Sequence, residues 1–143
     1  MNARRFDAVT LVSGEASGAV LKLDEPLSFW GGLDAATGKI IDRTHPQAGA
    51  SVTGRMLMMP TGRGSSSGSA TLAEALRLGK GPAAILMLDR DAIVVVGAMV
   101  AAELYGLACP VALAHPQDWE ALAAAASLTL EAGPNGASIS AGP

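Results

Sequence analysis

The chain carries the glycine-serine segment Pro60-Thr61-Gly62-Arg63-Gly64-Ser65-Ser66-Ser67-Gly68-Ser69 between an apolar run and a helical pattern. The apolar run before it is Met56-Leu57-Met58-Met59, and the pattern after it extends from Ala70 to Leu78 and stops at Gly79. In a strand–loop–helix unit of this kind, the unpaired N–H groups of the helix N-terminus and its partial positive charge point into the loop. The segment therefore predicts an α/β domain with an anion-binding loop.

The residue types in this loop support binding. Serines are favoured at helix N-termini, and glycines such as Gly62 and Gly64 allow a ligand to approach the backbone closely. The planar guanidinium of Arg63 suits a carboxylate or a phosphate. Glycine-serine runs are most often flexible linkers, but this one is short, carries an arginine and joins two periodic segments. It lacks the lysine and the glycine spacing of a P-loop, which argues against nucleotide hydrolysis.

Composition narrows the function further. At 143 residues we expect one domain, and a hydrophobic fraction of 50% with only 3% aromatic residues predicts an aliphatic core. Few aromatic rings and a net charge of −3 argue against binding to nucleic acid. A single cysteine, Cys109, excludes an intramolecular disulfide, and its apolar neighbours favour a buried, unreactive thiol over a metal ligand.

The chain offers no sign of a membrane segment. It does not open with a charged region followed by a long apolar one, as a signal peptide would. The longest apolar stretch, from Ala92 to Ala102, falls short of the roughly 20 residues that a membrane-spanning helix needs. We therefore expect a cytoplasmic protein without membrane contact.

Local patterns predict strands first and then strands alternating with helices. The expected strands are 5–12, 19–23, 54–59, 83–88, 92–96, 110–113 and 128–131, and the expected helices are 65–78, 98–105 and 118–126, with Asp118 as a cap. Residues 13–18 are expected to form a turn, and a short fragment at 40–41 could be a strand. This order predicts a partly parallel sheet with flanking helices. The domain is expected to span 1–132, and the tail 133–143, rich in glycine and serine, to be flexible.

A second polar loop is rich in candidate site residues. It extends from Gly31 to Pro46 and contains Asp34, Thr37 and His45, together with Asp42 and Arg43. An ordinary surface loop is the simplest interpretation, with His45 fixing the turn before Pro46. We expect Asp34, Thr37 and His45 to lie near the substrate or a subunit interface, without an assigned chemical step.

Taken together, the two loops resemble the small subunit of aconitase X enzymes, the swivel domain of the aconitase superfamily. The resemblance rests on Gly31-Gly32-Leu33-Asp34-Ala35-Ala36-Thr37-Gly38-Lys39-Ile40-Ile41-Asp42, His45-Pro46, Arg63-Gly64-Ser65-Ser66-Ser67 and Gly81-Pro82-Ala83-Ala84-Ile85. It covers the chain from about Gly14 to Val111 and implies a swivelling β/β/α domain, a barrel-like mixed sheet with parallel core strands and flanking helices.

The resemblance also implies a dehydration reaction. The small subunit would dock on an aconitase X large subunit, and that subunit would bind the iron–sulfur cluster, so that this chain holds no metal. The first serine of the loop, here Ser65, would be the base, with substrate contacts from Arg63, Gly64, Ser66 and Ser67. Aconitases proper have an arginine soon after the paired serines, whereas this chain has Ser67 and Gly68 there. Which residue binds the substrate carboxylate therefore stays open.

Three functions remain at this point. Bacterial members of the family dehydrate cis-3-hydroxy-L-proline to Δ1-pyrroline-2-carboxylate. The alanine-rich, lysine-poor composition is typical of a bacterial, GC-rich source and therefore favours this substrate. Archaeal members act on mevalonate 5-phosphate, so a phosphomevalonate dehydratase small subunit is the alternative enzyme. The alternative outside catalysis is an anion-binding or regulatory swivel module.

Overall fold

The computed structural model describes residues 4–142, which form a closed, seven-stranded mixed barrel with flanking helices. The elements in chain order are β1 (Arg4–Val12), β2 (Gly14–Lys22), α1 (Phe29–Gly32), β3 (Leu33–Asp34), β4 (Lys39–Ile40), β5 (Met56–Met58), α2 (Ser67–Arg77), β6 (Ala84–Met87), α3 (Ala92–Tyr105), β7 (Val111–Ala114), a 3-10 turn (Pro116–Asp118), α4 (Trp119–Ala124), β8 (Ser127–Gly133) and β9 (Gly136–Ala141). The expected α/β class, with a barrel-like mixed sheet and flanking helices, is confirmed.

The barrel combines a parallel and an antiparallel part. Its strand order is β1-β7-β6-β5-β2-β8-β9, and β9 pairs with β1 to close the ring. Three pairs are parallel: β2 with β5, β5 with β6, and β6 with β7. The other four pairs are antiparallel: β7 with β1, β1 with β9, β9 with β8, and β8 with β2. The connections β5–α2–β6 and β6–α3–β7 are the crossover units that parallel pairing requires. The sequence correctly predicts β5, α2 and β6.

Alternate residues of the parallel strands serve two cores. Met56 and Met58 of β5 join a cluster to which all seven strands contribute, which identifies it as the barrel interior. Leu57 and Met59 point the other way, into a cluster shared with α2, α3 and the β3–β4 hairpin. Because both faces of β5, β6 and β7 are covered, these three strands are continuous apolar runs without alternating polar residues.

The predicted strand at 92–96 is wrong, because these residues form the first turns of α3. The run Ile93-Val94-Val95-Val96 favours a strand by local propensity. However, the side chain of Asp91 caps the helix by accepting hydrogen bonds from the N–H groups of Ile93 and Val94, at 2.9 and 3.1 Å. Gly97, which precedes the expected helix 98–105, lies in the middle of α3, where a Cβ would be 2.9 Å from the Ser69 carbonyl oxygen on α2. Close packing of the two helices decides this segment.

The prediction of a flexible tail at 133–143 is also wrong for the residues that the structure describes. Residues 136–141 form β9, which pairs with β8 in register from Leu128–Ala141 to Gly133–Gly136 and with β1 on its other side. The expected turn at 13–18 likewise lies mostly within β2, where it pairs with β8. Small residues weaken a strand locally, but here each backbone finds partners on a neighbouring strand, so barrel closure outweighs propensity.

Three smaller expectations have mixed outcomes. Residues 39–40 form β4, close to the fragment expected at 40–41. Asp118 precedes α4, but its side chain makes no capping hydrogen bond. None of the helices in residues 4–142 has both the length and the apolar character needed to cross a bilayer.

Candidate functional site

The serine loop, residues 60–66, leaves the carboxyl end of β5 and leads into α2. The carbonyl oxygen of Pro60 accepts hydrogen bonds from the N–H groups of Leu88 and Asp89, at 2.9 and 3.0 Å, which fastens the loop to the end of β6. In sheets with parallel strands, ligands bind outside the carboxyl ends of the strands. The loop therefore lies at the end of the barrel where the parallel strands have their carboxyl ends, which is where a binding site is expected.

Ser65 lies at the N-terminus of α2 with its side chain in a defined position. Its Oγ accepts a hydrogen bond from the N–H of Ser67 at 3.1 Å, and its carbonyl oxygen accepts one from the N–H of Gly68 at 2.9 Å. The residue is exposed to solvent. The hydroxyl therefore sits where backbone N–H groups and the helix dipole stabilise negative charge.

Gly64 fixes the loop beside Ser28. Its φ of +99° is a backbone conformation that residues with a side chain rarely adopt, and a Cβ on Gly64 would lie 2.2 Å from the Ser28 Oγ. Ser28 in turn donates a hydrogen bond to the carbonyl oxygen of Trp30 at 2.9 Å. These contacts hold the serine loop against the segment that precedes β3.

Arg63 forms an ion pair across the site with Asp42. Its Nη2 lies 3.8 Å from the Asp42 Oδ2, and both side chains are partly exposed. Asp42 is oriented by Thr44, which donates from its backbone N–H at 2.9 Å and from its Oγ1 at 2.7 Å. The hydrogen bonds from Thr44, with a smaller contribution from Arg63, lower the pKa of the Asp42 carboxyl, which keeps it an anion.

His45 is a structural residue in this chain. It is buried at 3% exposure, its Nδ1 accepts from the N–H of Gln47 at 3.0 Å, and its Nε2 lies 3.1 Å from the Glu25 carbonyl oxygen. Because Nδ1 accepts, Nε2 must carry the proton and donate to Glu25. With both ring nitrogens used inside the protein, His45 anchors the loop that carries Asp42 and has no nitrogen left for a substrate.

Asp34 and Thr37 belong to the β3–β4 turn and are not brought to the serine loop. The Asp34 carboxylate accepts from the N–H of Ala36 at 3.0 Å and from the Thr37 hydroxyl at 3.1 Å. Next to them, a Cβ on Gly38 would lie 2.5 Å from the carbonyl oxygen of Lys80, which follows the C-terminus of α2. The 11 residues of α2 span about 16 Å, so this turn lies at the far end of the helix from Ser65.

Among the predicted substrate contacts, Arg63, Gly64, Ser66 and Ser67 share the serine loop and the start of α2 with Ser65. The structure adds Asp42, Ser28 and Trp30 to the surroundings of these residues, and none of the three has a role predicted from the sequence. Asp42 lies in the polar loop that the analysis noticed, but its pairing with Arg63 is a long-range contact. No sequence pattern reveals that contact.

The described part of the chain offers no place for an iron–sulfur cluster. Residues 4–142 contain no group of three or more His, Cys, Asp or Glu side chains arranged to hold a metal ion. Cys109, the single cysteine, is buried at 1% exposure, and burial raises the pKa of its thiol to about 12. Since cluster ligation requires thiolates, these residues do not fit such a group.

Comparison with known proteins places this geometry in a family. The family model described as the aconitase X swivel domain matches residues 5–139, which include both loops and most of β9. The chain belongs to the aconitase X swivel-domain family. The match also reaches into the segment beyond residue 132 that the sequence analysis had set apart.

Similar proteins carry two dehydratase names. The cis-3-hydroxy-L-proline dehydratase of Pseudomonas aeruginosa is 48% identical over 103 residues, which cover 72% of this chain and 18% of that protein. The enzyme of the same name from Hypocrea jecorina is 39% identical, covering 90% and 22%. The phosphomevalonate dehydratase small subunit of Methanothermobacter thermautotrophicus is 40% identical, covering 66% and 72%. The chain therefore spans about a fifth of the length of the first two relatives.

A solved structure agrees on the fold. The aconitase X of Thermococcus kodakaraensis in its holo-form superimposes with a TM-score of 0.80 at 24% identity, covering 98% of this chain and 99% of the matched chain. A UPF0107 protein solved by NMR gives 0.77 at 27% identity and covers 98% and 100%. The chain therefore shares its overall fold with both structures.

Proposed function

We propose that this chain is the swivel part of an aconitase X-type dehydratase and supplies a serine base for the removal of water from a hydroxy acid. The observation that carries the proposal is the position of the Ser65 Oγ, hydrogen-bonded at the N-terminus of α2. The three relatives described above are named dehydratases, which supports the reaction class. We further propose that a large subunit completes the site, in keeping with relatives that are named small subunits.

The environment of Ser65 addresses the main obstacle to this chemistry. A serine is a weak base because its alkoxide is costly in water, so each nearby positive charge or dipole matters. The start of α2 contributes N–H groups and a dipole, and Arg63 contributes a guanidinium two residues away. Exclusion of water by a covering subunit would strengthen both effects, since charge interactions grow as the local dielectric falls.

The proposed substrate is cis-3-hydroxy-L-proline. Ser65, as its alkoxide, would take the proton from C2, and the C3 hydroxyl would leave as hydroxide, which becomes water by taking a proton from solvent. The neutral Ser65 would return its proton to solvent, and the enamine would tautomerise to Δ1-pyrroline-2-carboxylate. We place the iron–sulfur cluster, whose Lewis acidity would assist departure of the hydroxyl, on the large subunit. Arg63, Gly64, Ser66 and Ser67 would contact the substrate. His45 would act only by anchoring the loop that carries Asp42, and Asp34 and Thr37, at the far end of α2, would not reach the substrate.

Two observations favour the proline substrate over mevalonate 5-phosphate. Identity is higher to the Pseudomonas aeruginosa enzyme, at 48%, than to the archaeal small subunit, at 40%. In addition, the Arg63 charge is already shared with Asp42 at 3.8 Å, so the loop is better matched to a singly charged carboxylate than to a phosphate dianion.

The test is Ser65→Ala in the complex with the large subunit, assayed anaerobically with both candidate substrates. Loss of a general base should reduce kcat by about 10²- to 10⁴-fold, with subunit binding unchanged. Ser51→Ala is the matched control, since the exposed Ser51 likewise accepts a hydrogen bond from the N–H two residues later, that of Thr53 at 3.3 Å, and Thr53 contacts Lys80 beyond the C-terminus of α2. It should keep kcat within a few-fold of the native value.

A second variant separates catalysis from helix capping. Alanine at position 65 also removes the hydrogen bond from the Ser67 N–H, at a cost of about 0.5–2 kcal/mol in stability. Asparagine at position 65 keeps an oxygen that can accept this hydrogen bond but has no hydroxyl. Ser65→Asn should therefore have a melting temperature near that of the native protein and above that of Ser65→Ala, and should remain inactive. Native turnover by Ser65→Ala would exclude Ser65 as the base, and an unchanged partner affinity beside such turnover would favour the non-catalytic module.

A further inference from the structure

Two large apolar side chains are exposed on the face that carries the serine loop. Trp30 is 59% exposed and Ile41 is 52% exposed, and we call this pair the serine-loop rim. Tryptophan is strongly enriched among the residues that dominate binding energy at protein interfaces. An exposed tryptophan beside a binding loop is therefore informative in a way that a scattered surface leucine is not.

Short backbone contacts tie the rim to the serine loop. The Trp30 carbonyl oxygen accepts from Ser28, whose side chain abuts Gly64, and the Trp30 nitrogen would lie 3.6 Å from a Cβ on Gly68 at the start of α2. The N–H of Ile41 donates to the carbonyl oxygen of Gly32 at 2.8 Å, which brings the second loop to the segment that holds Trp30. Both rim residues thus have defined backbone positions around the loop.

Charged groups border this apolar pair. Asp42 follows Ile41 directly, and its carboxylate pairs with Arg63, one residue before Gly64. The side chains of Asp42 and Arg63 are 29% and 46% exposed. An apolar anchor surrounded by partly hydrated polar groups is the usual arrangement of a protein–protein contact.

Another apolar surface competes as a docking site. Helix α3 exposes Val96, Met99, Leu104 and Tyr105, at 46%, 50%, 68% and 43%. This surface has more apolar side chains than the rim. However, α3 meets the serine loop through its first turn, where a Cβ on Gly62 would lie 3.1 Å from the Val94 side chain, and Met99, Leu104 and Tyr105 lie further along the helix.

We propose that the serine-loop rim is the surface that the catalytic large subunit covers, with Trp30 as its central anchor. The proposal rests on the proposed function, because a serine base needs a site from which the partner excludes water. The relatives supply the occupant: in two dehydratases the matched segment is 18% and 22% of a longer protein, and in archaea it is named a small subunit. The remaining enzyme must meet this domain at the face that carries Ser65.

Fluorescence quenching tests the proposal directly, because the chain has two tryptophans in opposite environments. Trp30 is 59% exposed, whereas Trp119 is 7% exposed and packs in the barrel core. In the free chain, iodide should quench Trp30 and spare Trp119. After addition of the anaerobically purified large subunit, labelled with 4-fluorotryptophan so that it contributes almost no fluorescence, quenching of Trp30 should fall at least fivefold. Unchanged quenching in a formed complex would overturn the proposal.

Affinity measurements complete the test. Trp30→Ser should weaken binding of the large subunit about 30-fold or more, as expected for an interface anchor, and Ile41→Ser should weaken it less. Met99→Ser on α3 is the matched control and should leave the Kd unchanged. Loss of binding in Met99→Ser with native binding in Trp30→Ser would assign docking to α3 and refute the rim. Ser65→Ala should bind normally, so failure of the proposed base and failure of the proposed interface give different results.

Discussion

Replacing Gly64 with alanine should inactivate the site without removing any functional group. A Cβ at this position would lie 2.2 Å from the Ser28 Oγ and 2.8 Å from the Ser28 Cβ. Relief of the first contact to an ordinary separation of about 3.4 Å requires a displacement of roughly 1.2 Å. The φ of +99° adds strain of about 1–3 kcal/mol for a side-chain-bearing residue.

The displacement falls directly on the base, since Gly64 immediately precedes Ser65. A misplacement of about 1 Å in a catalytic group can cost about 10²-fold in rate. We therefore expect kcat to fall at least 10²-fold in the complex with the large subunit. The free energy of unfolding, measured with urea, should fall by only about 1–3 kcal/mol, because an exposed loop can relax.

Two controls separate contact from strain. Gly79→Ala at the other end of α2 introduces a similar backbone penalty at φ +73°, with no atom within 4 Å of the new Cβ. It should lower stability and leave kcat unchanged. The double variant Gly64→Ala/Ser28→Gly removes the contact but keeps the strain, so it should recover much of the activity lost in the single variant while remaining less stable. If Gly64→Ala retains kcat within twofold, the geometry of this loop does not control the reaction.

Two further predictions concern stability. Asp91→Ala should lower the free energy of unfolding by about 0.5–2 kcal/mol, because the N–H groups of Ile93 and Val94 in α3 lose their acceptor. Asp91→Asn keeps an acceptor oxygen and should lower that free energy by less. Equal losses for the two variants in urea titrations would contradict the capping role. Burial raises the pKa of the Cys109 thiol from 9.0 to about 12, so the contribution of this thiol to the free energy of unfolding is complete below pH 9. As the pH rises from 9 towards 12, that free energy should decline by up to about 1.4 kcal/mol per pH unit. Cys109→Ala should lack that decline, and identical pH slopes for the two proteins would refute it.

Local patterns were sufficient for the central crossover units. The strand at Met56–Met58, the helix at Ser67–Arg77 and the strand at Ala84–Met87 were predicted because their signals are short-range and mutually consistent: apolar runs, a glycine-serine break and a C-terminal glycine. The location of Ser65 at a helix N-terminus follows from the same pattern. The resemblance of the two loops to aconitase X was likewise visible in the sequence and is confirmed at the level of the family.

Site residues that act through long-range contacts were not predictable. His45 has the chemistry of a substrate ligand, but burial and two internal hydrogen bonds make it an anchor. Asp34 and Thr37 lie in the polar loop, yet the β3–β4 turn carries them to the far end of α2. The partner of Arg63 is Asp42, more than twenty residues earlier in the chain, and only folding brings them to 3.8 Å.

The sequence by itself determined the class of fold, the serine loop and the family, because these depend on residue order and on periodicity within single elements. Tertiary structure decided the rest. Residues 92–96 have the composition of a strand, but the Asp91 cap and packing against α2 make them helical. Residues 136–141 have the composition of a tail, but pairing with β1 and β8 makes them the strand that closes the barrel. In both segments, contacts with distant residues contribute more free energy than the local preferences that sequence patterns record.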